Sequence, residues 1–354
     1  MGASRMNVIG WDIGGVHLKA ARIEDDRVVD PVQLAAPLRA GLEPLIRAFG
    51  EAKARMGRAD CHAVTMTAEL ADTFASRTEG VERIAELAAR ALSGRITLYA
   101  GRAGFIPLDA ASRQVSDIAS ANWHASAALI ARRRTNALVI DMGSTTTDIV
   151  PVADGQIAAR GYSDAERLAA GELVYTGLVR GFVMATAARA PFAGGWTPLV
   201  NENFANMADV HRILGTLPEG ADQMATPDGR EKTAEASRAR LARMVGADAA
   251  DAADWESLAR WFAEAQTRAI ADAAMQVLSR GSVPSEAAVI GAGIGTRVIE
   301  EVARRLGRGY IPFEALLHIA PQARGVASQC APAAALALLA AAAMDGLDLS
   351  RAAK

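Results

Sequence analysis

Ala137-Leu138-Val139-Ile140-Asp141-Met142-Gly143-Ser144-Thr145-Thr146-Thr147-Asp148-Ile149-Val150-Pro151 is the stretch from which this chain is best read. An apolar run enters Asp141, a glycine and four small hydroxyl residues follow, and Asp148 opens a second apolar run, so the pattern reads as strand, tight turn, strand. Such a hairpin can grasp phosphate. Gly143 can take φ > 0 and leaves backbone N–H groups uncovered, the hydroxyls of Ser144, Thr145 and Thr146 can donate to phosphate oxygens, and Asp141 and Asp148 suit a hard cation such as Mg²⁺ held through waters. The plainer alternative is an ordinary hairpin with a Ser- and Thr-rich turn.

A second copy near the start favours the phosphate reading. In Val8-Ile9-Gly10-Trp11-Asp12-Ile13-Gly14-Gly15-Val16-His17-Leu18-Lys19-Ala20-Ala21, apolar residues again lead into an aspartate, glycines make the turn, and an alternating strand returns. Two like hairpins imply two similar halves. A third glycine-rich element, Ala288-Val289-Ile290-Gly291-Ala292-Gly293-Ile294-Gly295, precedes an amphipathic helix over 297–307. It is not a dinucleotide fingerprint, because no βαβ unit with an acidic ribose ligand follows it.

These three elements, in this order, resemble the two phosphate hairpins and the late nucleotide-side turn of the actin-like ATPase superfamily of sugar kinases, Hsp70 and actin. The implied fold is α/β, with two actin-like (ribonuclease H-like) domains, 1–135 and 136–354, around a central cleft. A helical and loop insertion around 185–260 and a last helix, 332–344, packing at the hinge complete it. Asp12-Ile13-Gly14-Gly15 and Asp141 to Asp148 resemble the hydantoinase A and oxoprolinase branch. Val64 to Leu70, Gly171 to Gly177 and Asn201 to Val210 are similar to one subfamily of that branch, linked to tetrahydromethanopterin-dependent one-carbon transfer. Its methanogen relatives make the phenoxymethylfuran core of methanofuran.

Composition sets outer bounds. At 354 residues, half of them apolar, the chain can hold two domains with substantial cores. Thirty-eight Lys and Arg against 40 Asp and Glu leave a formal charge of −2, which gives no electrostatic reason to expect nucleic acid or an anionic membrane as partner. Cys61 and Cys330 are far apart and lack metal-ligand spacing, so a reducing cytoplasm is expected. The amino terminus shows no signal-peptide core. The Ala-rich run 330–344 is shorter than the roughly 20 residues of a membrane helix and reads as buried.

Along the chain, strands are expected at 28–34, 61–67, 96–99 and 156–161, and helices at 42–56, 81–92, 116–134, 234–245 and 255–280, the last long enough for a subdomain wall or for a subunit contact in a homo-oligomer. The segments 105–115 and 191–206 read as loops. Thr67 and Glu69 follow a strand end, where ligands gather in open α/β folds, although a helix cap would also explain Thr67. Asn122 and His124 are the notable polar residues of the 116–134 helix. Arg180 could clamp a phosphate or carboxylate, and Asn203 lies among polar groups suited to a substrate. Asp209, His211, Asp222 and Asp228 resemble a metal constellation without matching any simple metal loop, and are read as structural.

The candidate roles are then as follows. Asp12, Asp148 and Glu69 are catalytic, with Asp12, Asp141 and Asp148 holding the metal. Gly14, Gly15, Lys19, Gly143, Ser144, Thr145, Thr146, Gly291 and Gly293 bind phosphate, and Thr67, Arg180 and Asn203 bind substrate. The subfamily resemblance implies a transferase that joins a furan diphosphate to a phenolic amine or amino acid with Mg²⁺, ATP not being required. A small-molecule kinase, an oxoprolinase-like hydrolase and a nucleotide-sensing regulator are the other readings.

Overall fold

The computed structural model describes residues 6–251 and 253–345. Positions 1–5 and 346–354, which include part of the expected signal-free amino terminus and the end of the expected second domain, lie outside the described residues, as does position 252 in the acidic linker.

The first half runs β1 (Val8–Ile13), β2 (His17–Glu24), β3 (Arg27–Val28), β4 (Val32–Ala35), α1 (Glu43–Met56), β5 (Cys61–Met66), α2 (Arg77–Ala91), β6 (Arg95–Tyr99), β7 (Phe105–Pro107), α3 (Val115–Ile118) and α4 (Asn122–Arg133). The second runs β8 (Ala137–Met142), β9 (Thr147–Ala153), β10 (Gln156–Ile157), α5 (Asp164–Ala170), β11 (Leu173–Val174), α6 (Val183–Thr186), β12 (Arg189–Phe192), β13 (Gly195–Pro198), α7 (Met207–Ile213), α8 (Ala234–Arg243) and α9 (Trp255–Leu278). It ends with β14 (Val289–Gly293), α10 (Thr296–Arg305), β15 (Tyr310–Pro312), β16 (His318–Ile319) and α11 (Ala331–Asp345).

Both expected hairpins are present, and the sheets built on them share one plan. In the order β3-β2-β1-β5-β6 the first three strands are antiparallel and the last two join β1 in parallel; β10-β9-β8-β14-β15 repeats this. A parallel partner beside each hairpin requires a crossover connection, which α1 supplies in the first sheet and the long insertion supplies in the second.

Two helices are exchanged between the halves. α4, which follows the first sheet, packs on β8, β9 and β10, whereas α11, which follows the second, packs on β1, β2 and β5 and against α4. β16 also returns to the first sheet, beside β3. One apolar core therefore runs through both sheets and both helices. α11 is hydrophobic all round because it is enclosed on all sides. Its approach to β1 is so close that a Cβ on Gly10 would lie 2.0 Å from the Ala333 carbonyl oxygen. Among the described residues no helix is long and apolar enough to cross a membrane.

Several elements differ from expectation for identifiable reasons. The strand at 28–34 is two short strands, with Pro31, which lacks an N–H to donate, in the gap. The helix at 116–134 breaks at Ser120, whose φ is 53°, leaving α3 and α4. The loop at 105–115 contains β7 and a 3₁₀ helix, Leu108–Arg113, and the loop at 191–206 contains much of the β12–β13 hairpin, turned by Ala193 and Gly194 at φ 48° and 77°. The strand at 156–161 extends only over Gln156–Ile157. The insertion has its own core, from Val183 to Phe262, and α9 forms its wall.

Candidate active site

The two turns have the same construction. Gly14 N–H donates to the His17 carbonyl and Gly143 N–H to that of Thr146, each at 2.9 Å. In both, a brace takes up the turn's carbonyls. Ala36 and Leu38 donate to Val16 and Gly15, whereas Leu178 donates to Gly143, and Val179 and Arg180 to Ser144. Among the described residues the N–H groups of Gly15, Val16, Ser144 and Thr145 have no backbone acceptor, the arrangement by which a turn can receive an anion. The fit at the second turn is tight, since a Cβ on Gly177 would lie 2.4 Å from the Thr145 nitrogen. None of Gly14, Gly15 and Gly143 has positive φ, so their role is to keep the turns uncovered rather than to permit an unusual conformation.

Behind the turns the strand ends bring charged groups together. Asp12 lies opposite Lys19 in the β1–β2 register, and Asp141 opposite Asp148 in β8–β9. Burial raises all three carboxyls above the usual range, that of Asp141 to about 7, while Lys19 lowers each of them. The Asn122 side chain also favours the ionised form of Asp12. Asp148 is held by Arg167 at 2.7 Å; that guanidinium is fully buried, donates to the Glu172 carbonyl and lies 4.1 Å over the Trp123 ring.

Magnesium fits this group. Asp12 Oδ1 is buried without a hydrogen-bond partner, and a divalent cation would relieve three carboxylates that burial disfavours. Among the described residues no three His, Cys, Asp or Glu form a closed metal cluster, so the ion would be held through waters and ligand oxygens, as Mg²⁺ commonly is.

The other expected residues divide into two sets. Thr67 borders the first turn, its Oγ1 3.7 Å from where a Gly14 Cβ would stand; the cap of α2 is Ser76, not Thr67. Arg180 reaches the second turn, with Nη1 donating to Thr145 Oγ1 at 3.4 Å. Glu69 belongs to a neighbouring network, in which it accepts from Ser120 Oγ at 2.9 Å, Ser120 also meets Asp164, and Asp164 pairs with Arg77. Burial raises Glu69 to about 7, and its Oε2 has no partner. Gly291 is placed otherwise than expected, in mid-strand against the Tyr310 ring, which a Cβ at this position would approach to 2.4 Å. Gly293 (φ 83°) abuts Asp141 and the Met142 carbonyl, and Gly295 abuts the Met142 side chain, so packing accounts for all three glycines. Asn203 is exposed on the insertion, and among the described residues no hydrogen bond joins it to either turn. The residues resembling a metal constellation are engaged with one another and with arginines: Asp209 and Asp228 with Arg240, Asp222 with Arg212, and His211 between Thr216 and Gln266.

Sequence reasoning missed Arg39, Arg167 and Gln223, and alternation marks His17 only as sharing the face of Lys19. His17 is buried beside Lys19 and Arg180, its pKa lowered to about 3 chiefly by burial, and its Nε2 is unpartnered. Gln223, from the insertion, donates to the Gln33 carbonyl at 3.4 Å, and Gln33 is the β4 register partner of Lys19. No local signal marks Arg39, Arg167 or Gln223.

A cavity of about 220 Å³ adjoins the second turn, lined by Leu178, Leu214, Ala263 and Ile294 and by the polar residues Thr267, Arg297 and Glu301. Leu178 bonds to Gly143 and Ile294 to Met142, which fixes the cavity beside the turn.

Two sheets of one plan, exchanged helices and opposed turns at the strand ends define an actin-like ATPase fold. A nucleotide-free structure of acetone carboxylase shares this fold, with a TM-score of 0.54 at 10% identity over 95% of this chain and 70% of that one. The hydantoinase/oxoprolinase family model matches residues 60–342, and the chain belongs to that family. A Methanocaldococcus jannaschii protein, (4-{4-[2-(gamma-L-glutamylamino)ethyl]phenoxymethyl}furan-2-yl)methanamine synthase, is 33% identical over 248 residues, 69% of this chain and 73% of that one. The Methanococcus vannielii protein of the same name is 34% identical over 113 residues, 32% of this chain and 50% of its own length.

Proposed function

We propose that this chain is a transferase of methanofuran-type cofactor biosynthesis, joining an aminomethylfuran-methyl diphosphate to the phenol oxygen of a tyrosine or tyramine derivative. The supporting observation is the pair of opposed turns with free N–H groups beside Lys19 and Arg180, a site for a phosphate-bearing ligand, in a chain similar to a phenoxymethylfuran synthase.

In this reading the phenol oxygen attacks the methylene carbon, the carbon–oxygen bond to diphosphate breaks, and its electron pair leaves with the diphosphate. The phenol proton passes to a carboxylate, for which Glu69, with a pKa of about 7, is suited near neutrality. Positive charge developing on the methylene carbon is shared by the furan ring, so the main demands are holding the leaving diphosphate and positioning the phenol. The turn N–H groups and Lys19 meet the first demand. Mg²⁺ held by Asp12, Asp141 and Asp148 would neutralise leaving-group charge. Thr67 and Arg180 orient the ester, and the cavity at Leu178 and Ile294 receives an aromatic ring.

The same cavity beside the late glycine turn favours a second reading, an ATP-dependent small-molecule kinase. Incubating the protein with the furan diphosphate, a phenolic amine and Mg²⁺, with and without ATP, separates them. Ether and pyrophosphate formed without ATP support the transferase, and no product without ATP rules against it.

A further inference from the structure

The two braces do more than hold the turns. Each bears an arginine beside the turn it supports, and Arg180 also donates to Thr145 Oγ1 at 3.4 Å. In the first, Leu38 is fixed to the Gly15 carbonyl at 3.0 Å and Arg39 follows it. In the second, Arg180 itself is fixed to the Ser144 carbonyl at 2.8 Å. Both side chains are exposed, and among the described residues neither forms an ion pair with a carboxylate. They are nonetheless close enough for Arg39 to depress the Arg180 pKa, second to burial in effect, and Arg180 acts likewise on His17. The buried, unpartnered His17 Nε2 and the free N–H groups of both turns share this region.

Like charges gathered without counter-ions repel, and folding alone gives no reason to place them there. A multiply charged anion supplies one. We propose that Arg39 and Arg180 form a two-armed clamp, one arm from each half of the molecule, that closes on a diphosphate and distinguishes it from a single phosphate. It rests on the diphosphate reading of the site. Each turn offers N–H groups sufficient for one phosphate, and a second phosphate brings the ligand within reach of both guanidinium forks, whose planar donors suit phosphate oxygens. His17, near Lys19 and Arg180, adds a neutral partner that an anion oxygen or its water can satisfy.

Calorimetry at fixed MgCl₂ with inorganic pyrophosphate and with orthophosphate tests the clamp on wild type, Arg39→Gln, Arg180→Gln and the double variant. Wild type should prefer pyrophosphate. Each single variant should lose roughly tenfold or more in pyrophosphate affinity, as expected for a charge-assisted contact, while orthophosphate changes much less. Both positions are exposed, so melting temperatures should hold. Pyrophosphate binding that stays within twofold of wild type in Arg39→Gln, or no pyrophosphate binding by wild type, would overturn the clamp. Turnover distinguishes its failure from that of the underlying reading. Arginine-dependent pyrophosphate binding with strictly ATP-dependent turnover keeps the clamp and removes the transferase; nucleotide-free ether formation with unchanged KM in Arg39→Gln does the reverse.

Discussion

Lys19 stands across the β1–β2 ladder from Asp12, at the position that Asp148 occupies opposite Asp141 in β8–β9. The two halves are therefore alike in backbone and opposite in charge at this point. The first hairpin contributes a cation, and the second contributes a further carboxylate that needs its own partner, Arg167. Lys19 is left to act on all three aspartates.

Replacing Lys19 with Met should consequently affect both the aspartate group and the binding of a phosphate-bearing ligand. Turnover is expected to fall about 100-fold, with a raised KM for the diphosphate substrate, on the scale of a charge-assisted hydrogen bond lost from a buried site. Lys19→Arg should retain part of the activity. An unchanged KM in Lys19→Met would exclude a phosphate contact.

Asp141 gives the apoprotein a pH dependence of definite sign. Its folded pKa, near 7, lies well above the ordinary aspartate value of 3.8, so the folded state binds the proton more tightly than the unfolded chain does. Its contribution to stability is fully present below about pH 4 and is lost as pH rises through 7. Asp141→Asn should remove this loss and stabilise the metal-free protein at pH 8 by about 2–4 kcal/mol, and it should abolish turnover. Thermal melts of both proteins in EDTA at pH 5 and pH 8 provide the check; equal pH slopes would contradict it.

Arg167 and Asp148 form a mostly buried pair, and breaking such a pair from one side leaves a charge uncompensated. Arg167→Met should cost about 3–5 kcal/mol, and Arg167→Met with Asp148→Asn less than the sum of the single changes. Denaturant melts of the four proteins give the coupling directly. Strict additivity would show that Trp123 stacking, rather than the ion pair, is what Arg167 contributes.

The contrast between Lys19 and Arg167 shows which parts of the site were legible. Asp12, Asp141, Gly14 and Gly143 announce themselves because a polar residue and a glycine closing an apolar run leave few structures open. Lys19 and His17 follow by alternation along the returning strand. Arg167 and Arg39 carry no such mark, because they reach the site through helix packing and a brace that only tertiary structure defines. The break at Ser120 was hidden for a similar reason. The surrounding residues have helical periodicity, and the left-handed turn is maintained by tertiary contacts, among them the Ser120 bonds to Glu69 and Asp164. Gly291 misled in the opposite direction, since a glycine required by the Tyr310 ring resembles one required by a ligand.

That ambiguity bears on ATP. Gly291, Gly293 and Gly295 are each explained by a neighbour, Tyr310, Asp141 with Met142, and Met142 alone, so their spacing is no argument for a bound base. The adjoining cavity is largely apolar, with Glu301 and Thr267 at its edge, and Glu301 is held ionised, its pKa lowered to about 2 chiefly by hydrogen bonds from Arg304 and Arg305. Arg304 and Arg305 already satisfy that carboxylate and Arg297 lines the same cavity, so its apolar walls, not a charge, are what suit a ring there. The furan diphosphate already carries its leaving group, so no phosphoryl donor is required. Turnover with Mg²⁺ and no nucleotide is therefore expected, with one pyrophosphate released per ether and ATP binding weak or absent by calorimetry. Strict ATP dependence with ADP as product would restore the kinase, and in that case the cavity at Leu178 and Ile294 would be assigned to the base.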